Sequence, residues 1–175
     1  TGKPIPAFTV IPINVFRKGW LSPERMNAEP GRDGRLGYLA RQTDNPLRIR
    51  IEAEGYRTQT GPEFRVGDET PRTQNFRLQP SDPITGVVLD PDGQPEPKAK
   101  VLLAVPGEDV NLNYHDNIST GIEYSTVCNN HSTVTDEEGR FAFPDPDAPF
   151  IVAAMADGGF ATARFEADER NIGSL

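Results

Sequence analysis

Two histidines and a single cysteine, Cys128, in 175 residues leave little for nucleophilic or metal chemistry to work with. A lone cysteine cannot form an internal disulfide, so packing and hydrogen bonds must hold the fold in any compartment. No G-x-S-x-G, H-E-x-x-H, Walker loop or G-x-G-x-x-G occurs, and with them go the usual signatures of serine hydrolases, zinc proteases, P-loop enzymes and dinucleotide enzymes. Long apolar runs are missing as well. The longest, Phe150 to Ala156, is far shorter than the ~20 residues of a spanning helix, and no charged start with an apolar middle opens the sequence. Positive charge is short too: 18 Lys and Arg stand against 26 Asp and Glu, for a net charge of −8. That balance argues against a nucleic-acid surface across the whole chain, since phosphate binding is dominated by basic side chains.

What the chain does have is punctuation. Its 17 prolines and 16 glycines are spread throughout and leave no room for helices of ordinary length. Short apolar or alternating runs fit between them: Phe8 to Ile13, Leu47 to Ala53, Asn75 to Leu78, Ile84 to Leu89, Ala99 to Val105, Ser132 to Thr135, Arg140 to Phe143, Phe150 to Ala156 and Phe160 to Ala167. Strands spaced by about ten residues predict an all-β sandwich. In Leu47 to Ala53 the alternation puts Leu47, Ile49 and Ile51 on a core face and Arg48, Arg50 and Glu52 on a wet one. Asp90 to Gly93 and Asp136 to Gly139 each end in a glycine after turn-forming residues and are predicted to close hairpins. Ser22 to Arg25 is the one plausible helical turn, with Pro23 at its first position.

The chain also repeats itself. Gly2 to Val10 matches Gly93 to Val101 with the glycine and both prolines in register. Gly34-Arg35-Leu36 matches Gly139-Arg140-Phe141, Pro46-Leu47 matches Pro149-Phe150, Ala53 to Tyr56 matches Ala156 to Phe160, and Phe64 to Val66 matches Phe165 to Ala167. Five anchors in one order predict two units, residues 1–80 and 81–175, with a boundary near Pro80 to Pro83. The first carries 13 basic and 9 acidic residues and the second 5 and 17, so the surfaces differ, although solubility alone accounts for an acidic face. In this register the second unit opens with Ile84 to Leu89, whereas the counterpart in the first unit is expected upstream of Thr1, and the last strand of the second unit is expected to run past Leu175. A segment of a longer array is the expectation. The second unit also has an insertion, Gly107 to Asn130.

The pattern of Ile84-Thr85-Gly86-Val87-Val88-Leu89-Asp90, the turn Asp90 to Pro95, the stretch Thr135-Asp136-Glu137-Glu138-Gly139-Arg140-Phe141, and Ala156 to Phe160 resembles the carboxypeptidase regulatory-like domains. The match covers nearly all of the second unit and, more loosely, the first, which has Arg32-Asp33-Gly34-Arg35 in place of the T-D-x-x-G form. The resemblance implies two tandem transthyretin-like Greek-key β-sandwiches, grouped with carbohydrate-binding-like folds. It further implies an accessory module of bacterial secreted or cell-envelope proteins, with no catalytic residues and no cofactor.

Chemistry, if any, would sit in the loops. Tyr114, His115, Asp116, Tyr124, Cys128 and His131 crowd the insertion, and Cys128 with His131 has a spacing that two ligands of one metal could use; an ordered polar loop explains the same residues. Iron dioxygenases share the sandwich and use Tyr and His, but their H-x-H pair is absent. Domains with isopeptide crosslinks need a lysine in the opening strand, and Lys98 and Lys100 lie too late. Sugar binding would need exposed rings beside polar partners, for which Trp20 with Phe16, and Tyr114, His115, Asp116 and Tyr124 with Asn111 and Asn113, are the candidates. Asp90 with Asp92, and Asp145 with Asp147, offer too few oxygens for calcium and read as turns. The leading expectation is a non-catalytic module that spaces or presents surfaces to neighbouring domains of a longer exported chain or to a protein partner. A glycan- or polymer-binding module is the alternative, and a fragment of a metal-dependent enzyme comes third.

Overall fold

The computed structural model describes residues 2–16, 19–38, 44–67, 73–108, 131–156 and 159–175. Among them the fold is all-β, with one 3-10 turn at Arg25–Asn27. The first half contributes β1 (Ala7–Val15), β2 (Leu21–Pro23), β3 (Glu29–Arg32), β4 (Leu47–Glu52) and β5 (Gln59–Thr60). The second contributes β6 (Ile84–Val87), β7 (Lys100–Ala104), β8 (His131–Val134), β9 (Arg140–Phe143), β10 (Phe150–Ala156), β11 (Gly159–Phe165) and β12 (Asn171–Ser174).

In the first half the strands form one sheet in the order β2-β1-β4-β5, with β3 also on β1. One edge of β1 is shared: Ala7 to Val10 pair with β3, and Ile13 to Val15 pair with β2. This sharing displaces the expected helical turn. Ser22 and Pro23 are held as strand against Asn14 and Ile13, so the chain turns only at Arg25–Asn27.

The second half has two sheets, β11-β10-β7-β8 and β12-β6-β9, antiparallel throughout except for the β6–β12 pair. Val101, Leu103, Val152 and Ala154 from the first sheet share one core with Ile84, Phe141 and Phe143 from the second. Removing such side chains from water, at about 1.5–3 kcal/mol each, is what holds the two sheets together.

The two glycine turns form as expected, but the strands they join lie in opposite sheets. Asp90 Oδ1 accepts from the amides of Asp92 (2.9 Å) and Gln94 (2.8 Å), and Asp136 Oδ1 accepts in the same way from Glu138 (3.0 Å) and Arg140 (2.8 Å). Neither closes a hairpin within a sheet. Each carries the chain across the core, from β6 to β7 and from β8 to β9, strands that belong to opposite sheets. The fifth residue of each turn pairs back onto the first, and the strands then diverge because their apolar faces point into one core from opposite sides.

The same pairings recur in both halves. β1 and β4 pair with Val10 opposite Ile51, and β7 and β10 with Val101 opposite Ala154. Leu47 bridges Phe64, as Phe150 pairs with Phe165. A Cβ on Gly34 would meet Pro4 at 2.8 Å, and one on Gly139 would meet the Pro95 backbone at 3.3 Å. The halves differ on the other side of the core. In the first, Val10, Ile49, Ile51 and Ala53 are covered by Leu78 and by Leu36, Tyr38, Phe64 and Phe76 from irregular segments. Asn75 to Leu78, expected as a strand, is instead extended with alternating burial and pairs with no strand among the described residues.

Candidate functional site

The polar face of β4 is not wet. Arg50 is 7% exposed and Glu52 9%: this face turns toward the second half, where Arg50 finds a charged partner, while Glu52 pairs with Arg25 of the first half. Arg50 Nη2 donates to Glu108 Oε1 at 2.5 Å. Arg25 donates to both oxygens of Glu52, at 2.6 and 3.0 Å, and His131 Nδ1 lies 3.6 Å from the same carboxylate. Ile11 and Ile13 share this face by strand alternation and are fully buried. An apolar centre with a rim of ion pairs therefore faces the second half, and Leu21 adds a backbone bond to Gly107 O at 2.7 Å.

Burial acts on the two titrating groups in the same way, but their neighbours do not. For Glu52 burial pushes the pKa up, yet the Arg25 hydrogen bonds and the charges of Arg25, His131 and Arg50 outweigh it and hold the carboxyl below its usual value. For His131 burial pushes the pKa down, Glu52 only partly resists, and Arg25 and Arg50 push the same way as burial, so it falls from 6.5 to about 4. His131 is therefore neutral at pH 7, with its ring edge-on to Phe143 at 5.1 Å.

A second knot binds the halves at Asp145, whose side chain has no exposed surface. Its Oδ2 accepts from Ser81 Oγ (2.6 Å), Arg170 Nη2 (2.8 Å) and Arg57 Nε (2.9 Å), and its Oδ1 from the Asp147 amide (2.9 Å). Arg57 also reaches Asp147 at 2.9 Å, and the Thr58 amide donates to Asp145 O at 2.8 Å. Burial would raise the Asp145 pKa, but Ser81, the Asp147 amide, Arg57 and Arg170 together lower it. Both carboxylates of this pair are engaged by guanidinium groups, so the pair is more than a turn: it pins residues before, within and after the boundary between the halves.

A third feature is a cleft of about 970 Å³ on the other side of the first-half sheet. Its floor is Val10, Ile49 and Ile51, its walls are Leu36 to Tyr38 and Gln74 to Leu78, and Lys3, Arg35, Arg65 and Arg77 stand around it with Asp33. The side-chain amide of Gln74 is buried there with no partner among the described residues.

Of the binding residues expected from the sequence, Tyr114, His115, Asp116 and Tyr124 lie outside the described residues, as does Cys128. Trp20 is 44% exposed and leans on Phe16, ring centroids 5.1 Å apart and tilted by 38°. Among the described residues no three His, Cys, Asp or Glu side chains gather as a metal site would require, and no helix is long and apolar enough to cross a membrane. Sequence reasoning did not single out Arg50, Arg57, Glu52 or Glu108. For Arg50 and Glu52 the only signal was charged residues alternating along one strand, which a solvated face shares; Arg57 and Glu108 lie off that strand and gave none. No family model matches the chain, and no curated protein or solved structure does so either.

Proposed function

We propose that the chain is a non-catalytic accessory module: two tandem transthyretin-like Greek-key units, similar to carboxypeptidase regulatory-like domains, that act as a stiff spacer within a larger exported bacterial protein. The observation that carries this reading is the joint. Two sets of charged contacts cross between the halves, Arg50–Glu108 and Arg57 with Asp145 and Asp147. Relative motion is the default for neighbouring domains unless their interface has a substantial apolar part, and at this joint Ile11 and Ile13 are fully buried. Buried charges at such a place fix one arrangement rather than add much net stability. The repeated registers Val10 to Ile51 and Val101 to Ala154 support the two-unit reading, and the resemblance alone suggests a place outside the cytoplasm.

Small-angle X-ray scattering tests it. The protein should scatter as one rigid elongated or compact body, and the double variant Arg50→Ala, Arg57→Ala should scatter as two bodies on a flexible tether. A flexible profile for the unaltered protein would overturn the spacer reading.

A further inference from the structure

The sheet β11-β10-β7-β8 ends on one side in a long strand whose far edge pairs with no described strand. β11 is seven residues long and pairs with β10 alone, and that pairing runs from Ala156–Gly159 to Phe150–Phe165 without a slip. Proteins ordinarily protect such edges by keeping them short, or with proline, bulges or several charges. The other described edges follow that rule. β2, β3, β8 and β9 have four residues or fewer, β12 shifts register between Asn171 and Ser174, and β5 has two residues before the chain leaves at Gly61-Pro62. β11 has no proline, no bulge and a single charge, Arg164.

The direction of its free backbone groups follows from the ladder. Ala156 and Gly159 are partners with two residues between them in sequence. Those two are adjacent and cannot bond each other, so Ala156 and Gly159 are themselves the hydrogen-bonded pair. Alternation then turns the N–H and C=O of Ala161, Ala163 and Phe165 toward β10, and those of Phe160, Thr162 and Arg164 away from it. No described residue bonds the backbone of these three. Their side chains are exposed too, that of Phe160 by 73%.

We propose that β11 is a self-association edge, pairing antiparallel with β11 of a second copy about a two-fold axis at Thr162. This register uses every outward group: Thr162 faces Thr162, and Phe160 of each copy faces Arg164 of the other. Each copy then donates a bond from all three outward residues and accepts one at each. Moving the register one way sets Phe160 against Glu166, whose amide and carbonyl are already engaged by Glu169, and the other way sets Arg164 beyond the end of the strand. The facing side chains select a second copy as the occupant, because the strand is complementary to itself. Threonine pairs are favourable across strands, a guanidinium is attracted to an aromatic face, and Ala161 meets Ala163 with no bulk on either side. The two-fold closes the contact at two copies and joins two four-stranded sheets into one. The proposal stands apart from the spacer reading, which concerns the joint.

Sedimentation of the intact protein over a concentration series tests it, together with hydrogen exchange followed by NMR. A monomer–dimer equilibrium is expected. On dimer formation the amides of Phe160, Thr162 and Arg164 should gain protection, while those of Ala161 and Ala163, already bonded to β10, change little. Thr162→Lys sets like charges face to face at an exposed position and should weaken the dimer at least about tenfold, with the monomer still folded by circular dichroism. Phe160 supplies a test of sign: Phe160→Glu, opposite Arg164, should keep the dimer and make it salt-sensitive, whereas Phe160→Arg should lose it. A protein that stays monomeric at millimolar concentration, a dimer indifferent to Thr162→Lys, equal loss from both Phe160 variants, or protection elsewhere would each overturn the proposal.

Discussion

Asp145 shows how much one buried carboxylate can organise. Its donors come from three separate stretches, at Arg57, at Ser81 and at Arg170, so removing its charge weakens contacts to two guanidinium groups at once. Asp145→Asn is expected to cost about 3 kcal/mol, because breaking one side of a buried ion pair leaves the other uncompensated. Asp147→Asn should cost less than about 1 kcal/mol, since its side chain is 53% exposed and surface pairs contribute little. Asn also tolerates the left-handed φ of 57° at that position. Urea unfolding of the two variants checks the contrast, and equal losses would count against Asp145 as the organising group. The sequence could suggest an acidic pair here. It could not show that arginines 88 and 25 residues away would close on it.

At the scale of elements, the turns that cross the core depend on glycine to different degrees. Gly93 and Gly139 both have left-handed φ, 80° and 69°. A Cβ at Gly93 would meet open space, whereas one at Gly139 would lie 2.6 Å from the Val88 carbonyl oxygen. Gly93→Ala should therefore cost about 1 kcal/mol, from the backbone alone. Gly139→Ala should cost at least about 2 kcal/mol more, because a packed backbone must shift. Thermal unfolding distinguishes them. The turns were legible because their chemistry is local: an Asx side chain and a glycine within four residues. Strands with strict alternation, such as β4 and β9, were legible for the same reason. Where the chain goes after a turn was not, since the choice between a hairpin and a crossing is made by a core assembled from distant strands. Asn75 to Leu78 illustrates the remaining gap. Its alternation is strand-like, but a strand also needs a neighbour with free backbone groups in reach, and that is no property of the four residues themselves.

At the scale of the whole molecule, the joint makes stability depend on pH. His131 has a folded pKa of about 4 against an ordinary 6.5. Above pH 6.5 it is neutral in both states and contributes no pH dependence; between 6.5 and 4 the unfolded chain takes up a proton that the folded one refuses, so stability falls with pH in that window. Glu52 and Asp145 titrate below their ordinary values, so their share of stability is lost only in more acidic solution. From pH 7 to pH 5 the protein should lose about 2 kcal/mol, and His131→Gln should remove most of that slope, as read from urea midpoints at the two pH values. The parallel β6–β12 pair has a different consequence, one for mechanical load. Thr85 donates to Arg170 O at 2.7 Å, Leu175 to Val87 O at 2.9 Å and Leu89 to Leu175 O at 3.0 Å. A pull that draws Ile84 toward the first half and Leu175 the opposite way loads these bonds in shear. They must then break together rather than unzip one by one, so the second half resists stretching between Ile84 and Leu175.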